Sequence, residues 1–401
     1  MRNLIKRITP NFMIRLYQAA RYAGITALFF LARLWKIQPG LVAICNVWGY
    51  GDNTKYVTEE LKKRLQANPK LHLVFITNHP EQVPVQPGLR ALKTNTPAAI
   101  FALARAQVWV DNNRKEAYIY KRKGQYYIQL WHGGIPLKRI EGDCEKELGE
   151  KYIRRAKRDS TMTDLFVSNS SFCTEMYRRA FWATCEIAEW GSPRNDRFVQ
   201  RARGQEGGID RRESEYLLRQ KDESQKTQKT VVYAPTYRAN GKNEFPFDAK
   251  RLREVLTERF GGEWRILVRL HPLVAAGQQF AQIEGVEDIS AAPDLYERLH
   301  EADALITDYS NTMFEVMLCG MPVFLYMPDY AEYQKERGVY FAAEQLPCPV
   351  ATKAEECYEA IRTYTPEQYQ EAQKRFFAEV GLAESGRAAE QVAERIVELT
   401  R

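Results

Sequence analysis

LVAICNVWGYGDNTKYVTEELKKRLQANPKLHLVFIT, residues 41–77, reads as strand, helix, strand. An apolar run, LVAICNVW (41–48), follows Pro39-Gly40; TKYVTEELKKRL (54–65) has helical spacing; LHLVFIT (71–77) is a second apolar run. Two short buried strands joined through a helix must lie parallel, because the crossover leaves no other economical return. Outward from here the alternation continues. AAIFALARA (98–106) is helical, and QVWVDN (107–112), YYIQLWHGG (126–134) and DLFVSNS (164–170) are further strands, with ATCEIAEWGSPRND (183–196) ending in a loop. After a charged, apolar-poor stretch a second block begins: strands at TVVYAPTYR (230–238), WRILVRLHP (264–272), ALITDYS (304–310) and PVFLYMPD (322–329), with helices at 248–260, near 293–301 and at 311–319. The pattern predicts an α/β protein of two doubly wound blocks facing a cleft. The expected organisation is an N-terminal segment over residues 1–38, a first Rossmann-like domain over 39–205 for the acceptor, a linker over 206–229 and a second Rossmann-like domain over 230–401 for the donor. The last helix is expected to pack back on the first domain.

Charge is concentrated at the start of the chain. Residues 1–51 hold seven Lys/Arg and no acid, and the remainder balances at 51 basic against 51 acidic residues, giving the net +7. A general nucleic-acid binder would carry its basic face on folded domains, so no nucleic-acid partner is expected. The segment from about Asn11 to Lys36 has helical spacing. Arg15, Gln18, Arg21, Tyr22, Thr26, Arg33 and Lys36 fall on one side, and Leu16, Tyr17, Ala20, Ala27, Leu28, Phe30, Leu31, Leu34 and Trp35 on the other. Ile25 and Phe29 interrupt the polar side. The uncharged run from Tyr22 to Ala32 is shorter than the roughly 20 residues a bilayer demands. The expectation is a basic amphipathic helix lying on an anionic membrane surface; the competing reading is a helix packed on the protein's own core. The seven scattered cysteines form no CxxC pair and no Cys/His cluster, which fits a reducing compartment without structural zinc.

Polar residues of chemical interest stand at strand ends, where open parallel sheets bind ligands. They are His132, Ser168, Arg194, Thr236, His271, Asp308 and Ser310. A histidine can deprotonate a hydroxyl near neutral pH or donate to a phosphate oxygen. Arg269 stands two residues before His271. Ser310 is placed to cap the next helix, whose free N–H groups would favour a phosphate, and Asn311 and Glu315 share one helix face. Arg194 in GSPRND and Arg238 after Pro235-Thr236 suit diphosphate neutralisation. His72, His79 and His300 have no such setting and read as structural or surface residues. The chain has no GxxxxGK[ST], no GxGxxG after its first strand and no GxSxG, which disfavours a P-loop nucleotidase, a dinucleotide dehydrogenase and an α/β-hydrolase.

The ordered set QLWHGGIPLKRI (129–140), DLFVSNSSFCTEMYRRAF (164–181), GSPRND (191–196), VVYAPTYR (231–238), VRLHP (268–272), ITDYSNTMFEV (306–316) and PVFLYMPDYAEYQKERGVYF (322–341) resembles the CDP-glycerol glycerophosphotransferase family, which primes or polymerises teichoic acids and related capsule polymers. The resemblance covers about residues 42–395. It implies a GT-B fold, with His132 as general base on the acceptor hydroxyl and His271 and Arg269 on the donor diphosphate. It also implies a CDP-alditol pocket lined by Arg194, Pro235, Thr236, Leu270, Asp308, Ser310, Asn311, Glu315 and, more weakly, Arg337, with Trp131, Gly133 and Gly134 around the base. The implied partners are CDP-glycerol or CDP-ribitol and a lipid-linked or polymeric acceptor, at the cytoplasmic face of the cell membrane. No metal or other cofactor is expected. A glycosyltransferase of the same fold using a nucleotide sugar is the alternative. The chain departs from the family pattern in four places: HGGIPLK is one residue longer than the usual HGTPLK, Ser310-Asn311 replaces Ser-Ser, Glu315 stands where Asp is frequent, and AESGRAAE (383–390) replaces a more acidic DDGKA-like pattern.

Overall fold

The computed structural model describes residues 11–206, 228–236, 245–270, 283–292 and 294–401. Helix α1 (Asn11–Ala32) leads into a first sheet. That sheet is built from β1 (Gln38–Cys45), β2 (His72–Thr77), β3 (Leu89–Lys93), β4 (Ala106–Asp111), β5 (Tyr126–Gln129), β6 (Leu165–Ser168) and β7 (Glu186–Glu189). Helices α2 (Asp52–Arg64), α3 (Pro97–Arg105), α4 (Glu150–Met162) and α5 (Ser171–Ala180) make crossovers, and α6 (Asp196–Glu206) follows the last strand. The order is β3-β2-β1-β4-β5-β6-β7, and every pairing is parallel. The second sheet holds β8 (Gln228–Ala234), β9 (Glu263–Val268), β10 (Val286–Asp288), β11 (Ala304–Thr307), β12 (Val323–Tyr326) and β13 (Val350–Ala351). Its order is β10-β9-β8-β11-β12-β13, again all parallel. Its helices are α7 (Ala249–Phe260), α8 (Leu295–Leu299), α9 (Thr312–Val316), α10 (Tyr330–Arg337), α11 (Ala354–Arg362) and α12 (Pro366–Glu379). Both sheets therefore reverse strand order once, between β1 and β4 and between β8 and β11. Those two switch points are where such sheets bind ligands.

Local chemistry sets the element ends. Thr96 caps α3 through Ala99 N, with Pro97 at the first helical position; Ser170 caps α5 and Asp248 caps α7. The strand expected over 126–134 stops at Gln129, because the Gln129 Oε1 accepts from Trp131 N (2.9 Å) and Trp131 turns the chain at φ +54°. The helix expected over 311–319 is one α turn followed by a 3₁₀ turn, Met317–Cys319.

Two apolar layers sandwich the first sheet. Val42, Ile44, Phe75, Val108 and Ile128 face α2 and the final helix α13 (Ala388–Leu399), which buries Val392, Ala393 and Ile396 there. Leu41, Ala43, Val74, Trp109 and Tyr127 face α3 and α1. A further cluster joins Trp131, Ile135, Phe166 and Phe181 of the first domain to Leu305, Met313, Phe314 and Phe341 of the second.

Helix α1 docks by Phe29 and Ala32, with Ile25 and Leu28 partly buried beside them. Ile25 and Phe29, which interrupt the basic side, are thus the docking residues, and part of the helix does pack on the protein's own core. On the other side of the helix Leu16, Tyr17, Phe30 and Leu31 are exposed, and so are Leu34 and Trp35 in the turn that follows it. Tyr22 meets Tyr118 edge-on at 5.7 Å, and Tyr118 Oη donates to Asn95 just past β3, so the middle of α1 lies near the carboxyl edge of the sheet. Its far end reaches the opposite edge, where Arg105 Nε donates to the Lys36 carbonyl. Among the described residues no helix is long and apolar enough to cross a membrane.

Candidate active site

The end of β4 delivers Asp111, Asn112 and Asn113 to the switch point, and the turn after β5 brings His132 against them. His132 Nδ1 lies 2.8 Å from the Asn112 carbonyl. A carbonyl can only accept, so Nδ1 carries the proton and Nε2 keeps its lone pair. The ring leans on the Trp131 indole at 4.1 Å between centroids. Desolvation by the surrounding protein lowers the His132 pKa, which favours the neutral imidazole a base requires.

The loop carrying His132 is held from below. Asn53 Nδ2 donates to the Trp131 carbonyl (3.0 Å), and Arg194 Nη1 donates to the His132 carbonyl (3.0 Å) and to Asp52 Oδ1 (2.7 Å). The other Asp52 oxygen accepts from Asn112 Nδ2 at 2.9 Å. Arg194 then crosses to the second domain: Nη2 donates to Glu315 Oε1, and the guanidinium stacks 4.5 Å over Tyr296. Glu315 also accepts from the Tyr296 hydroxyl and from Asn311 Nδ2 (3.3 Å).

The two glycines after His132 are required by close approach. A Cβ on Gly133 would stand 2.3 Å from Asn311 Nδ2 of the second domain, and one on Gly134 would stand 2.3 Å from Asn169 Nδ2. Both amides are already committed, to Glu315 and Glu384 respectively, so neither moves freely.

At the second switch point Thr236 N and Oγ1 both donate to the Asp308 carboxylate, tying Pro235-Thr236 after β8 to Asp308 after β11. Ser310 Oγ lies 2.7 Å from Thr312 Oγ1 and accepts from Thr312 N at 3.3 Å. Arg269 Nη1 donates to the carbonyls of Ile289, Ser290 and Ala292, and Leu270 N donates to Ser290 Oγ, so this pair shapes the loop before α8. Arg337 ends α10, immediately before Gly338–Tyr340, which hydrogen-bonds to Leu137 and Arg139 of the first domain. His271 and Arg238 lie outside the described residues.

A family model described as CDP-glycerol:poly(glycerophosphate) glycerophosphotransferase matches residues 27–398. The chain belongs to this family. Its relatives include a teichoic acid poly(glycerol phosphate) polymerase of Staphylococcus epidermidis, 30% identical over 86% of this chain and 48% of the relative. A teichoic acid glycerol-phosphate transferase of Staphylococcus aureus is 28% identical over 83% of this chain and 90% of the relative. The chain thus spans about half the length of the polymerases it matches first. The solved structure of the wall teichoic acid polymerase TagF covers 97% of this chain and 96% of its own, at 27% identity and a TM-score of 0.78.

Within this family fold, Trp131, His132, Gly133, Arg194, Asn311 and Glu315 come together where the two domains meet, and Gly134 lies beside them against Asn169. Pro235, Thr236, Asp308 and Ser310 gather at the second switch point, whereas Arg269 and Leu270 brace a neighbouring loop. Sequence reasoning passed over Asp52, Asn112 and Tyr296. The signal for the first was present: GYGDN (49–53) directly follows the first strand, at the sheet edge where the other candidates were sought.

Proposed function

We propose that the chain transfers glycerol phosphate from CDP-glycerol to a hydroxyl of a lipid-linked or polymeric acceptor, in synthesis of a teichoic-acid-like or capsule polymer. The observation that carries this reading is His132, held as an Nδ1–H tautomer at the first switch point, with Gly133 pressed against Asn311 of the second domain. Nε2 of His132 takes the acceptor proton. The acceptor oxygen attacks the β-phosphorus of CDP-glycerol, a new P–O bond forms, and the bond to the bridging oxygen breaks to release CMP. His271, Arg269, Ser310 and Asn311, with Pro235, Thr236, Leu270, Asp308, Glu315 and Arg337, make up the proposed donor side. Fixed donors there would stabilise charge on the transferred phosphoryl group and on CMP.

The protein would work as a peripheral enzyme on the cytoplasmic face of the membrane, with the bare apolar face of α1 in the headgroup layer. Relatives named teichoic acid ribitol-phosphate primase and poly(ribitol-phosphate) polymerase, 25% and 27% identical, make CDP-ribitol the second donor to test. The deciding experiment offers CDP-glycerol, CDP-ribitol and UDP-sugars separately with a lipid-linked acceptor. CMP release with a new phosphodiester supports the proposal. UDP release with a glycosidic product would replace it by the glycosyltransferase reading.

A further inference from the structure

Two separate groups hold His132. The Asn112 carbonyl fixes its ring, and Arg194 fixes its main-chain carbonyl. These groups come from different elements, the end of β4 and the turn before α6. Asp52 is what joins them, with one carboxylate oxygen on the Asn112 amide and the other on Arg194. Asp52 occupies the first position of α2 at φ +58°, a conformation that L-residues other than Asn and Asp rarely hold.

We propose that Asp52 is a positioning residue for the transfer reaction, clasping Asn112 and Arg194 together so that His132 is aligned, and that the Arg194–Glu315 pair extends this clasp to the second domain. The proposal rests on the reading of His132 as the base. Asp52 needs no contact with substrate. Its oxygens are engaged by the two holders, and it acts through them. Because Arg194 shares its guanidinium between Asp52 and Glu315, alignment of the base is coupled to the approach of the second domain. A base displaced by about 1 Å can lose on the order of 100-fold in rate.

The test uses the full chain and CDP-glycerol. Asp52→Asn keeps a residue suited to positive φ but turns an amide toward the Asn112 amide, donor against donor. Asn112→Asp sets two carboxylates against each other from the opposite side. The double variant Asp52→Asn, Asn112→Asp restores one donor facing one acceptor with the roles exchanged. The expectation is a loss of about 10–100-fold in kcat for each single variant, with partial recovery in the double variant. Affinity for CDP-glycerol should be unchanged. The acid limb of the Asp52→Asn pH profile should also move to lower pH, because the Asp52 charge favours protonation of His132. A purely structural role would lower melting temperature without a selective loss of kcat and without its recovery in the double variant. Wild-type kcat and pH profile in both single variants, beside an inactive His132→Ala, would overturn the proposal alone. Substantial turnover by His132→Ala would instead overturn the assignment of the base. Single variants too unstable to assay, with a double variant that also lacks recovery, would likewise count against the clasp.

Discussion

Arg194 of the first domain and Glu315 of the second form an ion pair in which both side chains are almost completely enclosed, 4% and 2% exposed. A diphosphate reaching Arg194 would have to displace a carboxylate, either Glu315 or Asp52. The arrangement is more demanding than a surface pair, because removing one partner strands the other charge away from water. Loss of one partner in such a pair costs about 3–5 kcal/mol. Arg194→Ala should therefore unfold at clearly lower denaturant than wild type. Glu315→Gln, which keeps an acceptor for Tyr296, should lose less. Denaturant titration of both variants checks this, and equal stability of Arg194→Ala and wild type would contradict it.

His132→Ala should lower transfer by about 10²–10⁴-fold, the usual contribution of a positioned base. CDP-glycerol should still bind, as calorimetry would show. The pH dependence has a defined sign. The protein around His132 holds its pKa below the ordinary 6.5, so the ring stays neutral at pH 7, and a base at this position would lose competence only on acidification. The acid limb of kcat/KM should accordingly have its midpoint under 6.5. A midpoint above that value would mean that a carboxylate dominates the environment of the ring.

The alternation of strands and helices was legible because each central strand is short, apolar and punctuated. The carboxyl ends of the central strands followed from it, and with them the neighbourhoods of His132 and Asp308; the strand order that makes two of those ends switch points did not. The edge strands β3, β10 and β13 escaped notice. LRALK and VED carry charges because they pair on one side only, so their pattern resembles a loop. Arg194 was visible as a charged residue in a Pro turn, but its partners Asp52 and Glu315 lie 142 and 121 residues away in sequence. No local pattern encodes such a meeting. His300 read as a structural or surface residue. It sits between the domains, with its ring 4.3 Å from Phe198 and its Nε2 3.4 Å from the Tyr56 hydroxyl.

Two groups should tilt stability in opposite directions with pH. Burial, with Arg197, Arg201 and Lys55 nearby, pushes the His300 pKa down to about 3. Between that value and its ordinary 6.5 the unfolded chain binds the proton and the folded chain does not, so acidification destabilises the fold. Glu384 accepts from Asn169, Asn195 and Ser192, yet its enclosure still pushes its pKa up to about 8. Between its ordinary 4.5 and about 8 the folded chain keeps a proton that the unfolded chain releases, so stability falls as pH rises. Melting temperatures across pH 4–9 should show Glu384→Gln flattening the alkaline decline and His300→Asn flattening the acid one. Unchanged slopes in both would remove these groups as titrating determinants.

Phe29 and Ala32 are core residues, so deleting the whole of residues 1–38 would open the layer over Ile100 and Tyr118 and confuse anchoring with folding. The outward face offers a cleaner test. Leu16, Leu31 and Leu34 are 65%, 56% and 79% exposed, and replacing all three with Glu leaves the docked face intact. Full burial of a leucine side chain contributes about 1.5–3 kcal/mol, and partial burial in the interfacial layer a fraction of that. Each nearby basic residue adds about 1 kcal/mol on an anionic surface. The triple variant should lose most of its co-sedimentation with phosphatidylglycerol vesicles. Its melting temperature and its turnover on a short water-soluble acceptor should stay close to wild type, because none of the three residues reaches the cleft. Binding by the wild type should weaken as salt rises, since the Debye length falls from about 10 Å at 0.1 M to about 3 Å at 1 M, but the apolar part should survive. Orientation gives the prediction its functional point. The middle of α1 lies near the carboxyl edge of the first sheet, the edge that carries His132, so a helix lying in the headgroups would bring the proposed base toward the bilayer, where a lipid-linked acceptor would be held. If the triple variant sediments as well as the wild type, the anchor lies elsewhere and α1 only covers the core.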